Sequence, residues 1–210
     1  MAIRDAKGQL TSRTRLETFS DGVIAISITL TVLSIQVPHG LPNSRVGSAI
    51  LHLIPDVSTY LLSFVVIGAF WMSHHFALDR IERVDRRIML LNLGFPAAIS
   101  LVPLVTSLLS QYSVSVSVMT YASVMTMAAL SELAIWLHAE HHGLLTETVT
   151  DQERAESRSR LLTATGIFAA SIPVALLSIL AAQLMWLLIL FRVPLTRLRR
   201  LRRRRETASG

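Results

Sequence analysis

Long apolar runs recur along the sequence, and they constrain the fold more than any other feature. A helix needs about 20 apolar residues to cross the roughly 30 Å hydrocarbon core of a bilayer. The 210-residue chain is 51% hydrophobic and only 16% charged, and its mean hydropathy of +0.51 is too high for a typical soluble domain of this length. The sequence therefore predicts an all-α, polytopic membrane protein.

Six stretches are predicted to span the membrane as helices. They lie at about residues 18–37, 56–76, 88–110, 114–138, 161–180 and 184–195. The last two divide one apolar stretch, because a single helix over it would be about 50 Å long at about 1.5 Å per residue and must fold back. The break is predicted near Ala181 to Gln183, and Pro96 and Pro103 predict kinks in the third span.

The polar stretches complete the predicted organisation. Residues 1–14 are expected to form a cytoplasmic segment that is disordered or a short surface helix, 15–195 the transmembrane domain, and 196–210 a basic cytoplasmic tail. The charged segment 79–87 has a helical pattern, so the second span is expected to continue out of the membrane. Residues 139–160 are expected to form a polar loop.

The positive charges predict the orientation of the chain. Arg and Lys lie in the N-terminal segment, between spans two and three, between spans four and five, and in the tail, whereas the other connections hold only Arg45. Positive residues mark the cytoplasmic side, so both termini are predicted to be cytoplasmic, which requires an even number of spans. The tail has eight arginines from Arg192 on, and we expect it to lie on anionic lipids rather than on nucleic acid.

The first span has two distinct faces at helical spacing. One is a purely aliphatic stripe, formed by Ile26, Leu30, Leu33 and Val37. The other is a narrow stripe of small hydroxyl residues that would let a neighbouring helix approach closely, formed by Ser20, Ser27, Thr31 and Ser34. Asp21 lies near the start of the span, and a carboxylate there requires a partner.

A motif at the head of this span carries a resemblance to a known family. Arg15, Phe19, Ser20 and Asp21 spell R-x-x-x-F-S-D, and three further segments follow in order: WMSHH at 71–75, VDRR at 84–87 and LNLGFP at 91–96. Together they resemble the first three helices of the transmembrane protein 175 family of potassium channels. The resemblance covers about residues 15–100.

The resemblance implies a homotetramer of six-helix subunits, with the first helices lining a central pore that conducts K⁺. Ile26 would form an aliphatic constriction, Thr29 a hydroxyl ring associated with selecting potassium, and Leu30 and Leu33 would continue the pore face. The sequence contains nothing like the carbonyl filter TVGYG. A ring of aliphatic side chains dewets when it is narrow and passes a mostly hydrated ion when it widens, so modest selectivity is expected.

The resemblance also implies a structural polar network behind the pore. Its members would be Arg15, Phe19, Ser20, Asp21, Trp71, His74, His75 and Asn92. A single repeat is typical of the prokaryotic members, so a multi-pass protein of a prokaryotic cell membrane is expected.

Other functions stay open from the residues alone. Without the resemblance, ordinary helix packing would explain the aliphatic stripe better than a pore. A secondary transporter, proton-coupled through Asp21 and the histidines, is the second hypothesis, although the two halves of the chain do not mirror each other. A structural membrane protein without transport is the third.

Enzymatic and cofactor chemistry is not expected. The chain has no cysteine, which excludes thiol catalysis and thiolate metal sites. No nucleophile arrangement, phosphate loop or carboxylate pair is visible, so we expect neither enzyme nor cofactor. The histidines at 138–142, with Glu140, are the one possible zinc cluster, but the sequence supplies no evident fourth ligand.

Overall fold

The computed structural model describes the backbone of residues 2–40 and 42–192, and the side chains of residues 13–40 and 42–189. This part of the chain is helical throughout and contains no strand, apart from an isolated bridge between Ile81 and Leu145. Its helices are α1 (Ala2–Thr31), α2 (Val46–His52), α3 (Ile54–Leu78), α4 (Arg86–Ser100), α5 (Val102–Gln111), α6 (Ser115–His141), α7 (Asp151–Leu177) and α8 (Ile179–Arg192). Two 3₁₀ turns, Val32–Ser34 and Asn43–Arg45, follow α1 and precede α2.

Five helical segments are long and apolar enough to cross a membrane. They are Arg13–Ser34, Ile54–Leu78, Arg86–Gln111, Ser115–His141 and Asp151–Leu177. They match the first five predicted spans, so the all-helical, multi-span architecture is confirmed. A shorter apolar helix, Ile179–Ile189, coincides with the sixth. The end of the predicted sixth span, at residue 195, and the basic tail, 196–210, lie outside the described residues.

The third span is divided at Leu101, close to Pro103, which is one of the two prolines that predicted a kink. α4 ends at Ser100, and α5 begins at Val102 with Pro103 in its first turn. Proline cannot donate a backbone hydrogen bond, so the helix is readily divided there. Pro96 lies inside α4 without ending it.

Two of the predicted connections are wrong. The segment 79–87 does not prolong α3, because the chain turns there and the backbone N–H groups of Glu82 and Arg83 donate to the carbonyl of Leu144. The predicted loop 139–160 is shorter than expected, since α6 extends to His141 and α7 begins at Asp151. Thr150 and Glu153 form a capping box that starts α7.

Two predictions at the ends of the chain also need correction. Residues 2–14 are neither disordered nor a separate surface helix, because α1 runs continuously from Ala2 into the first span. The break between the last two helices lies at Ser178, not at Ala181 to Gln183. Ser178 has an extended backbone, and its Oγ accepts a hydrogen bond from the backbone N–H of Ala181 at 3.2 Å. Such a bond is typical of an N-cap and explains why the second helix starts there.

Helix α6 lies at the centre of the bundle and packs against α4, α5 and α7. Its Tyr121 stacks on Trp186 of α8 with ring centroids 4.6 Å apart, and Phe70 of α3 meets Phe168 of α7 at 5.5 Å. α4 and α6 are close together at Gly94, where an added Cβ would lie 2.7 Å from Ser131 Oγ. α1 lies at the side of this core and contributes Ile24 and Leu16 to it.

Candidate functional site

The face of α1 that packs on its own subunit is the hydroxyl face. Its buried residues are Leu16, Ser20, Ile24, Ser27, Thr31 and, in the following 3₁₀ turn, Ser34. They recur every three or four residues, which places them on one side of the helix. Small side chains there bring α1 close to α3, α4 and α5.

The aliphatic stripe of α1 points away from the rest of its subunit. Ile26 is 61% exposed, Leu30 45% and Leu33 68%. These side chains are large and apolar, and the described part of the chain does not cover them. The stripe is therefore available to a second copy of the chain or to lipid.

Thr29 lies at the edge of this stripe and is also exposed. Its hydroxyl donates to the backbone carbonyls of Ile26 at 2.8 Å and Ala25 at 3.1 Å. Because a hydroxyl oxygen keeps its lone pairs when its hydrogen is donated, Thr29 still offers an oxygen to a cation or to water.

Two side-chain hydrogen bonds hold α1 against the neighbouring helices. Asn92 Nδ2 of α4 donates to Ser20 Oγ at 3.0 Å, and both residues are fully buried. Trp71 Nε1 of α3 donates to Asp21 Oδ1 at 2.8 Å. Since Ser20 and Asp21 are consecutive and bind different helices, together they define the rotation of α1 about its axis.

The remaining members of the predicted polar network separate into different environments. His74 is buried and stacks on Phe95 with ring centroids 4.1 Å apart. His75 is exposed, with Nε2 3.7 Å from Asp79 Oδ2. Arg15 and Phe19 are exposed as well. The structure thus brings Ser20 together with Asn92, which also interacts with His74. It brings Asp21 together with Trp71, whose ring stacks on that of His75 with centroids 6.0 Å apart.

Glu132 of α6 is buried within the bundle, and its contacts with Ser73 and His74 were not predicted from the sequence. Its Oε2 accepts from Ser73 Oγ at 2.9 Å, and its Oε1 lies 3.8 Å from His74 Nδ1. Glu132 is 1% exposed. A lone carboxylate inside a predicted span was the available signal, because such a group needs a partner within the bundle.

The sequence of this chain is similar to those of known ion channels. Residues 15–103 match the family model described as the endosomal/lysosomal potassium channel TMEM175. A protein of Streptomyces collinus named a potassium channel is 36% identical over 148 residues, which covers 68% of this chain and 72% of that protein. The chain belongs to the TMEM175 family.

A solved structure and a longer animal protein of the TMEM175 family also resemble this chain. A solved structure, that of a lysosomal potassium-selective channel TMEM175 homologue from Chamaesiphon minutus, superposes with a TM-score of 0.75 at 25% identity, over 87% of this chain and 96% of that one. The Gallus gallus protein named an endosomal/lysosomal proton channel is 32% identical over 145 residues, and this chain spans 29% of its length. The TMEM175 family is one of ion channels and not of enzymes, as the sequence predicted.

The TMEM175 motif residues at 84–87 begin α4 and join it to the end of α6. Asp85 caps α4 by accepting from the backbone N–H of Ile88 at 2.7 Å, and Asp85 Oδ2 lies 2.8 Å from His138 Nε2. Partial desolvation raises the pKa of Asp85, but the bonds with His138 and Ile88 outweigh it and leave the pKa below its ordinary value. Among the described residues, no three His, Asp or Glu side chains gather as metal ligands, although His138 and His142 lie close together.

Proposed function

We propose that this chain is the subunit of a potassium channel whose pore is lined by α1. The observation that carries the proposal is the aliphatic stripe of Ile26, Leu30 and Leu33, which the subunit leaves uncovered while the opposite face of α1 is buried. The resemblance to proteins named potassium channels supports K⁺ as the permeant ion.

The proposed assembly is a homotetramer in which four copies of α1 surround one axis. The stripe then becomes a set of stacked aliphatic rings, with Ile26 as the constriction. Aliphatic side chains cannot replace the hydration shell of an ion, so a narrow ring dewets and closes, and a wider ring passes a mostly hydrated K⁺. Thr29, with an exposed hydroxyl oxygen, is the proposed source of potassium preference.

The two anchors of α1 support this arrangement. The bonds from Asn92 to Ser20 and from Trp71 to Asp21 hold the polar start of the span against α4 and α3. A helix fixed in this rotation turns Ile26, about one and a half turns further along, away from the subunit. Ser20 and Asp21 therefore act structurally and not as ion ligands.

We further propose six spans with both termini in the cytoplasm of a prokaryotic cell, and a cell-membrane location. The support is the distribution of Arg and Lys, which occur in alternate connections. In this orientation the arginine-rich tail, 196–210, would lie on the anionic cytoplasmic leaflet.

Purified protein in planar bilayers under a potassium gradient tests the function. Channel-level currents that reverse near the potassium equilibrium potential are expected. Slow flux that depends on a second gradient would support a transporter, and a silent bilayer would support a structural role. A proton gradient at constant K⁺ tests the activity named for the Gallus gallus relative.

The absence of cysteine from the chain allows a direct test of the assembly. Ile26→Cys should form disulfide-linked dimers on mild oxidation, because its copies face a shared axis. Val32→Cys, which is 45% exposed but about 120° away around the helix at about 100° per residue, should not. Native mass spectrometry of the same samples should give the mass of four subunits.

A further inference from the structure

A cavity outside the proposed pore lies between α3, α6, α7 and α8. Its volume is about 50 Å³. Most of its wall is apolar, including Phe76, Ile167 and Ile189, and its polar part contains Ser73, Glu132 and Arg160. All four helices are membrane-span candidates or the short apolar helix that follows them, so the apolar wall continues into the surface that lipid would touch.

Arg160 lies where α7 changes from polar to apolar. The ten residues 151–160 are mostly charged or polar, and the apolar part of the helix begins at Leu161. A side chain at this boundary is at the depth of the lipid phosphates rather than in the hydrocarbon core. Arg160 is half-buried, and its Nε is buried without a hydrogen-bond partner.

The other arginines near the start of α7 form ion pairs with carboxylates of the same chain. Arg158 lies 3.5 Å from Glu140, and Arg154 lies 4.0 Å from Asp151. Within the described part of the chain, no carboxylate comes within ion-pair distance of Arg160. Because a half-buried guanidinium without a directly paired counter-ion is costly, an anion from outside the chain would stabilise it.

A second cation lies on the same side of the cavity. Arg80 follows the end of α3 and donates from its guanidinium to the carbonyl of Phe76, a residue of the cavity wall, at 2.9 Å. It is close enough to Arg160 for the two positive charges to repel each other. Two neighbouring arginines that form no ion pair within the described residues are typical of a phosphate site.

Glu132 is the one acidic side chain of the cavity wall. It lies on α6, where Ser73 donates to one of its oxygens and His74 faces the other. Glu132 and Glu156, which lies one turn before Arg160 on α7, both interact with Arg160 at longer range. Neither forms an ion pair with Arg160 in the described part of the chain.

We propose that this cavity is the binding site of an anionic phospholipid. Its phosphate lies between Arg160 and Arg80, and one acyl chain lies along Ile167 and Ile189 of the cavity wall. A volume of about 50 Å³ holds part of the head group, and the rest of the lipid lies on the outer surface. Basic pockets between membrane helices on the cytoplasmic side bind lipid head groups in this way.

Lipid binding to the full-length chain in detergent tests the proposal. Phosphatidylglycerol is titrated against phosphatidylcholine of the same acyl chains and against inorganic phosphate, with retained lipid read by native mass spectrometry and stability by thermal unfolding. We expect phosphatidylglycerol to be retained and to raise the unfolding temperature. Arg160→Gln should weaken its binding by about tenfold, because a charge-assisted hydrogen bond is lost, whereas Arg160→Lys should lose less.

A matched variant sharpens the test. Arg158→Gln, two residues away, removes an equal charge from a side chain that already has a partner, so it should leave lipid binding unchanged. The proposal is overturned if phosphatidylcholine or free phosphate stabilises the protein as well, or if Arg158→Gln and Arg160→Gln act equally.

Discussion

In α1 the hydroxyl face is buried and the aliphatic face is exposed, which is the reverse of the arrangement in a water-soluble helix. The hydroxyl residues Ser20, Ser27 and Thr31 are buried against the subunit, and the aliphatic residues Ile26 and Leu33 face outward. In water the aliphatic face would be the buried one. In a membrane, lipid is as apolar as leucine, so helices associate through close packing and hydrogen bonds, which small hydroxyl residues provide.

This comparison separates the residues that build the subunit from those that are free for another task. Substitutions on the hydroxyl face should affect folding, and substitutions on the aliphatic face should affect conduction. The following variants test that division, in order of decreasing expected effect.

Ile26→Asn should have the largest effect, because it places a polar side chain in the proposed constriction and lets water remain there. Current should rise at least about tenfold, which corresponds to a barrier lower by about 1.4 kcal/mol. Single-channel or ensemble currents in bilayers measure the change. Val32→Asn is the control, and equal currents in the two variants would show that Ile26 does not form the constriction.

Ser27→Leu should destabilise the subunit, since Ser27 is only 2% exposed and a larger side chain would push α1 off its neighbours. The expected cost is about 1–3 kcal/mol. Thermal unfolding in detergent measures it, with Ile26→Leu on the opposite face as the control. A similar loss of stability in both variants would contradict the division between the two faces.

Thr29→Ala should lower the preference for K⁺ over Na⁺ by about threefold, as expected if one weak oxygen contact of about 0.6 kcal/mol is lost. Thr29→Ser keeps the hydroxyl and should keep the preference. Reversal potentials with K⁺ on one side and Na⁺ on the other measure the ratio. An unchanged reversal potential in Thr29→Ala would remove Thr29 from the selectivity mechanism.

Asp85→Ala should have the smallest effect on conduction, with no change in current, because it lies at the start of α4, away from the aliphatic stripe. It removes an N-cap at a cost of about 1 kcal/mol, and Asp85→Asn should cost less because Asn also caps helices. The folded-state pKa of Asp85 is lowered, so the charged form stabilises the fold above the ordinary pKa, and this stability is lost as pH falls through the folded-state value.

Unfolding midpoints of the wild type, Asp85→Ala and Asp85→Asn at pH 7 and at pH 3 measure this contribution. The difference between wild type and Asp85→Asn should shrink at pH 3. A difference that stays constant or grows on acidification would show that the charge of Asp85 does not stabilise the fold.

Much of the fold could be predicted because it depends on local hydropathy. The first five spans follow from the length of their apolar runs, and the division of the third from Pro103. The ends of helices were harder to predict, since α7 begins in a polar stretch whose capping residues, Thr150 and Glu153, outweigh its low hydropathy. Ser178 ends one helix and caps the next, which a hydropathy profile does not show.

Part of the candidate site could also be predicted from the sequence, and part could not. The aliphatic stripe of Ile26, Leu30 and Leu33 could be predicted from helical periodicity alone, and the structure leaves it exposed. The structure divides most of the predicted network into two parts: buried Ser20, Asn92 and His74, and exposed Asp21, Trp71 and His75. Adjacent residues on a helix point about 100° apart, so the consecutive histidines belong to different parts.

By itself, the sequence determined a helical membrane protein, the segments that cross the bilayer and the two faces of α1, since these depend on composition and on periodicity within one helix. Only the tertiary structure decided which face of α1 is buried, because that depends on the positions of Asn92 and Trp71, which lie far away in the chain. It also decided that Glu132 and Arg160 line one cavity. Pairing between distant helices depends on how they pack, and no local pattern in the sequence records it.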